Sequence, residues 1–166
     1  EKLVYFVTNI EQGTDENPSI VAPMTASGRA HTIVLKQDGS VWAFGSNTYG
    51  QLGIGTVDNV IQNVPQRLTF FDDLRKVEES SDGTLTGENV VKVYAGEYHS
   101  VALTDKGNVY TWGLNNRGQL GLGYDPSVRD MVMSPERVSL TDSNGKTVEL
   151  TDIVKVSVGT YHTEVV

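Results

Sequence analysis

The apolar and polar positions of this chain alternate in short bursts. Residues 90–96, VVKVYAG, alternate and are rich in β-branched side chains, the pattern of a half-buried strand. A short apolar run follows, SVALT (100–104), then the turn DKGN (105–108) and a second aromatic-bearing run, VYTWG (109–113). The long loop 113–135 leaves the sheet edge and returns, and PERVSL (135–140) reads as a fourth strand. Short β-runs separated by turn signals predict an all-β chain. One segment reads as a helical turn: FFDDLRK (70–76), with Phe70 and Leu74 at helical spacing.

The same phrase is written twice. HTIVLKQDGSVWAFGSNTYGQLGIG (31–55) and HSVALTDKGNVYTWGLNNRGQLGLG (99–123) align without a gap. His31 falls on His99, Gly45 on Gly113, Gly50 on Gly118, Gln51 on Gln119 and Leu52 on Leu120, each pair 68 residues apart. IVKVSVGTYHT (153–163) opens a third copy, with His162 lying 63 residues after His99. Fixed-period similarity marks a repeat architecture. Four strands per unit is the pattern of a propeller blade, a small twisted antiparallel sheet stacked radially on its neighbours. The expected fold is therefore an incomplete ring of two and a half to three blades. Its expected divisions are an N-terminal strand and linker at 1–19, repeats at 20–89 and 90–152, and the start of a third at 153–166. Gly39 and Gly107 close hairpins that need positive φ. Gly96 and Gly159, three before a histidine, allow close backbone approach, and Leu52 and Leu120 are hydrophobic plugs under the glycine-rich loops.

The third copy lacks the strand that follows the histidine strand in the other two. The N-terminal KLVYFVTNIEQG (2–13) offers one: with Val4-Tyr5 set on Val109-Tyr110, Gly13 falls on Gly118 and Pro18 plays the role of Pro135. Propellers close their rings with such an offset. Three arrangements are open: a piece of a longer repeat protein, copies joined end to end by strand exchange, and a self-closed three-blade unit. An open sheet edge invites another strand, so Val4, Tyr5, Phe6, Glu164, Val165 and Val166 are candidate interface residues. Glu164 stands where the other copies have Ile33 and Val101; a carboxylate there predicts a strand that is exposed or unusually paired.

Composition narrows the chemistry. Net charge is −8, with 21 acidic against 13 basic residues, and no Lys/Arg cluster occurs. Backbone binding to nucleic acid needs such a cluster; none is expected, nor is membrane insertion, since no run of 18 apolar residues exists. The absence of cysteine excludes disulfides and thiolate chemistry. It is compatible with export from a bacterium, and an extracellular or cell-surface location is the expectation. The start at EKLVYF, without Met or an apolar leader, reads as processing or as part of a longer chain.

Three candidate sites are weighed and set aside. His31, His99 and His162 are the only histidines; at one equivalent position per blade they are kept apart, and hydrogen bonding to neighbouring backbone explains them better than a metal. GQLGIG and GQLGLG resemble phosphate loops, but neither a helix nor a GK[ST] tail follows. DSNGK (142–146) lacks the further carboxylates of a calcium loop, and a type I′ turn at Asn144-Gly145 is the simpler reading. No catalytic residue, cofactor or metal is expected. Trp42, Phe44, Tyr110 and Trp112 recur on hairpin strands, with one alternating set expected between blades. Tyr49 and Arg117 occupy corresponding loop positions, and Tyr98 and Tyr161 precede histidines. Tyr and Arg anchor interfaces, so these four are the expected docking residues.

AGEYHSVALTDKGNVYTWGLNNRGQLGLG (95–123) and its weaker copy SGRAHTIVLKQDGSVWAFGSNTYGQLGIG (27–55) resemble the regulator-of-chromosome-condensation repeat family, over roughly residues 20–166. The resemblance implies β-propeller blades, commonly seven to a ring. Its members include exchange factors for small GTPases, domains of ubiquitin ligases and exported bacterial proteins, one a lactamase inhibitor. Fold is implied more narrowly than function. The expected function is a non-catalytic protein-interaction or self-assembling structural module, its partner another protein or other copies of itself. The alternatives are a guanine-nucleotide exchange factor-like regulator of a small GTPase and an accessory or inhibitory domain of an exported bacterial protein.

Overall fold

The computed structural model describes residues 22–76 and 87–166. The candidate interface residues Val4, Tyr5 and Phe6 lie outside these, as does the rest of the expected N-terminal strand and linker (1–19). Within them the chain builds two four-stranded antiparallel sheets in chain order. The first comprises β1 (Met24–Ser27), β2 (His31–Leu35), β3 (Val41–Asn47) and β4 (Asp58–Arg67). The second comprises β5 (Val90–Ala95), β6 (His99–Thr104), β7 (Val109–Leu114) and β8 (Met131–Arg137). A short helix, α1 (Thr69–Leu74), follows β4. A hairpin of β9 (Ser139–Thr141) and β10 (Thr147–Glu149) precedes β11 (Val156–Val158) and β12 (Thr163–Val165), which open a third sheet. These are the expected propeller blades.

The repeat holds down to register. His31 pairs with Gly45 across β2–β3, and His99 with Gly113 across β6–β7. Both hairpins close through a left-handed glycine: Gly39 (φ 76°) donates to the Lys36 carbonyl at 2.9 Å and Gly107 (φ 72°) to that of Thr104 at 3.0 Å. This is the three-residue loop with a glycine bulge. The β9–β10 turn uses the same device and corrects the type I′ expectation. Gly145 has φ 78° but Asn144 is not left-handed. Instead the Asp142 carboxylate accepts the Asn144 and Lys146 amides at 2.8 and 2.9 Å.

The fourth strand also differs from expectation. It is Met131–Arg137, with Val132 opposite Gly113 and Arg137 opposite Tyr110, so only its end overlaps residues 135–140. Ser139–Thr141 belongs to the separate hairpin. Pro135 is tolerated because β8 is an outer strand, where one row of amides has no ladder to complete.

Every residue of β6 and β7 is buried, on both faces, because the second sheet lies between the first and the opening of the third. One apolar cluster joins the first two sheets through Ile33, Leu35, Leu52, Val93, Trp112 and Leu120. Another joins the second sheet to the third through Val101, Leu103, Val109 and Val156. Tyr110 and Trp112 are therefore both buried, while Trp42 and Phe44 are both half-buried, rather than alternating within each strand. In α1 the buried ring is Phe71, 5.8 Å from Trp112 between centroids, while Phe70 stays 37% exposed.

Candidate docking face

Three equivalent turns, before β2, β6 and β12, carry the sequences SGR, AGE and VGT. They bond to one another around a common axis: the Arg29 amide donates to the Glu97 carbonyl at 3.1 Å, and the Glu97 amide to that of Thr160 at 3.4 Å. Together residues 27–29, 95–97 and 158–160 line an open concavity of about 570 Å³. Their glycines make room for the histidine rings. A Cβ on Gly96 would stand 2.0 Å from His99 Cε1 and 2.8 Å from the Gly159 carbonyl oxygen. Gly96→Ala is expected to cost about 1–3 kcal/mol through this overpacking, read as a lower thermal midpoint. A midpoint unchanged from wild type would show that the ring does not rest on the glycine.

The histidines bridge blades. His31 Nε2 lies 3.0 Å from Ser100 Oγ, and His99 Nε2 lies 3.1 Å from Thr163 Oγ1. Ser100 Oγ donates onward to the Gln51 carbonyl at 2.7 Å, so it accepts from a protonated His31 Nε2. The side-chain partner is thus a hydroxyl of the following repeat, one position past that repeat's own histidine, and His31 also has the expected backbone contact, to His99. The buried Nδ1 atoms of His31 and His99 have no hydrogen-bond partner. Burial, then the next histidine along, lowers both groups to a pKa of about 4. Among the described residues no group of three or more metal-ligating side chains exists.

The glycine-rich loops are stapled from within by the aligned Gln51 and Gln119 and by two asparagines that were not singled out from sequence. The Asn47 carbonyl Oδ1 accepts the Leu52 amide at 3.1 Å, and its Nδ2 donates to the Thr56 carbonyl at 2.8 Å. Asn115 repeats this with Leu120 and Arg129. Gln51 Oε1 accepts the Tyr49 amide, and Gln119 Oε1 the Arg117 amide, each at 2.8 Å. The signal was present: Asn47 and Asn115 share the same 68-residue offset. Leu52 and Leu120 are buried beneath, as expected for plugs.

These staples place the loop tips against the axial turns. Tyr49 meets Tyr98 edge-on at 5.1 Å between centroids. Arg29 lies 5.7 Å over the Tyr98 ring, and Arg117 lies 5.6 Å over the Tyr161 ring. Arg29 pairs with Glu97 at 2.7 Å. The Arg29 guanidinium, followed by the Tyr161 hydroxyl, holds the Glu97 carboxyl below its ordinary range, and Glu97 in turn pushes the Tyr161 phenol up. So Tyr49, Tyr98, Tyr161 and Arg117 come together on one face, each loop tip packed on the tyrosine of the following repeat. Arg29 and Glu97, missed from sequence, join them. Glu164 is exposed, opposite Ser157 in β11, with His162 Nε2 3.9 Å away. Val165 is half-buried and Val166 is 75% exposed; all three lie on or beside β12, three to five residues after Tyr161.

A family model for the regulator of chromosome condensation (RCC1) repeat matches residues 38–103 and 106–166. A bifunctional serine/threonine-protein kinase/NEDD4-like E3 ubiquitin-protein ligase of Dictyostelium discoideum is 33% identical over 138 residues, which are 82% of this chain and 7% of that one. The ultraviolet-B receptor UVR8 of Arabidopsis thaliana is 31% identical over 77% of this chain and 25% of its own. A human RCC1-like G exchanging factor-like protein is 40% identical over 58% of this chain and 18% of its own. The chain thus spans a quarter or less of each of these relatives. Among solved structures, human WBSCR16 superposes with a TM-score of 0.57 at 30% identity, over 82% of this chain and 29% of that one. Yeast RCC1 (Prp20), in a complex with Kap60, gives 0.59 at 24% identity over 86% and 27%, which supports the fold alone.

Proposed function

We propose that this chain, which belongs to the regulator of chromosome condensation (RCC1) repeat family, is a non-catalytic protein-docking module that presents its tyrosine–arginine face to a protein partner. The observation that carries this reading is the gathering of Tyr49, Tyr98, Tyr161, Arg29 and Arg117 at one end of the blades, on loops fixed by Asn47, Asn115, Gln51 and Gln119. Tyr and Arg with restrained rotamers lose little entropy on binding and dominate interface energetics. The mechanism is display: the sheets hold the loops, and docking needs little rearrangement of the backbone.

Affinity capture with matched variants tests it. Tyr98→Ala with Arg117→Ala is expected to weaken partner binding at least tenfold, as roughly 1.4 kcal/mol or more of hot-spot contact is lost. Val60→Ser on β4 is expected to leave it unchanged. The opposite ranking would move the docking surface to the sheet edge.

A second reading, association of copies, is supported by β12, which pairs only with β11 among the described residues. Solution mass that rises with concentration, and stays at the monomer value when residues 1–13 are removed, is the expected outcome of that reading. Accelerated nucleotide release from a small GTPase would instead favour the exchange-factor role that the human relative's name suggests.

A further inference from the structure

Five of the six arginines of this chain already hold a carboxylate. Arg29 pairs with Glu97, Arg67 and Arg75 with Asp72, Arg129 with Glu136 and Arg137 with Glu149. Arg117 forms no ion pair among the described residues. It is exposed, its amide is fixed by buried Gln119, and its guanidinium stands over the Tyr161 ring. An arginine stacked on an aromatic face keeps its planar fork oriented and ready for two parallel hydrogen bonds.

The molecule contains its own picture of what such a pair accepts. At the preceding seam Arg29 stands over Tyr98 at nearly the same distance, and the Glu97 carboxylate accepts from its Nη1. At the next seam the residue equivalent to Glu97 is Thr160, which brings no charge. A cation over a tyrosine recurs, here from the loop tip rather than the turn; the Glu97 carboxylate reaches the Tyr161 hydroxyl at this seam, but no carboxylate pairs with Arg117 among the described residues.

We propose that Arg117, held on Tyr161, receives a carboxylate from an acidic segment of the protein partner, completing from outside the pair that Glu97 completes from within at the neighbouring seam. This rests on the docking reading above and names the chemistry of what docks. The net charge of −8 opposes an acidic segment over most of the surface, so its attraction must come locally, from the one arginine without an ion pair among the described residues.

The test uses the full chain and a short peptide of alternating glutamate and glycine, set against its glutamine, lysine and phosphoserine analogues and a single-stranded oligonucleotide. Nuclear magnetic resonance titration is expected to shift the Arg117 and Tyr161 signals with the glutamate peptide, and the glutamine analogue to bind about tenfold more weakly. Arg117→Gln should lower affinity for the glutamate peptide by a similar factor. Arg117→Lys should recover only part of it, because lysine lacks the fork. Lys146→Gln, on the separate β9–β10 hairpin, should leave affinity unchanged.

Equal binding of the glutamate and glutamine peptides, equal loss in Arg117→Gln and Lys146→Gln, or no binding at millimolar peptide would overturn the assignment. So would binding of the phosphoserine peptide or the oligonucleotide without the glutamate peptide. If Arg117→Gln weakens partner capture while the glutamate peptide fails to bind, the docking face stands and the carboxylate assignment falls. If the peptide binds at Arg117 while capture ignores the whole face, the docking reading falls and the carboxylate site stands.

Discussion

Trp112→Ala is expected to lower stability by about 4 kcal/mol, the range for removing a large buried aromatic. Trp112 is fully buried, and its indole N–H donates to the Gln51 carbonyl at 3.0 Å, across the seam between the two sheets. The first repeat's loop rests on the ring: a Cβ at Gly53 would come within 2.7 Å of the indole nitrogen. The substitution therefore opens a cavity and removes a donor in one step. Urea denaturation should show the loss as a lower midpoint with little change in slope. Trp112→Phe separates the two effects. It keeps most of the packing, and Gln51 still accepts from Ser100 Oγ, so its cost should stay near ~1 kcal/mol. A cost below ~1 kcal/mol for the alanine variant would mean that the loop is not seated on the indole.

Acid should weaken the fold between pH 6.5 and about 4, above the range where most carboxylates titrate. His31 and His99 are neutral in the folded chain, with folded pKa values of about 4 against an ordinary 6.5. The unfolded chain binds these protons first, so unfolding takes up protons throughout that window. The stabilisation is fully present above pH 6.5, falls as the pH drops, and is gone once the pH passes below the folded values. Each histidine contributes on the order of 3 kcal/mol. At pH 5 the slope of stability against pH should correspond to nearly two protons. Stability that is flat from pH 7 to pH 4.5 would show that the rings are not held neutral in the seams. The geometry gives the cause: Nε2 of each ring is already engaged by the next repeat's hydroxyl, as donor in His31, and buried Nδ1 has no partner for a second proton.

The seams were the part of the molecule hardest to read from sequence, and the reason is specific. Strand patterns and turns are local, so the blades, their hairpins and the glycines at 39 and 107 followed from residues close together in the chain. The His31–Ser100 contact joins residues 69 apart and has no local signature; the equivalence of Ser100 and Thr163 was the available clue. Arg29 and Glu97 were overlooked for the same reason, although they occupy aligned positions with opposite charge. The fourth strand was placed too late because PERVSL is locally strand-like, while the observed register is set by Val132 against Gly113. Phe70 and Leu74 stand at helical spacing, but spacing alone does not say that Phe71 is the ring that meets the sheet. Tyr49, Tyr98, Tyr161 and Arg117 were legible because residue type and repeat position both marked them, but their packing on one another needed the neighbouring blade.

Amide hydrogen exchange of the chain, alone and bound to a captured partner, tests the docking face most directly. The account predicts slower exchange on binding at residues 27–30, 95–98, 115–119 and 158–161, with β4 and β8 unchanged. Protection confined to β4 or β8, with those turns and loop tips exchanging as in the free chain, would contradict it.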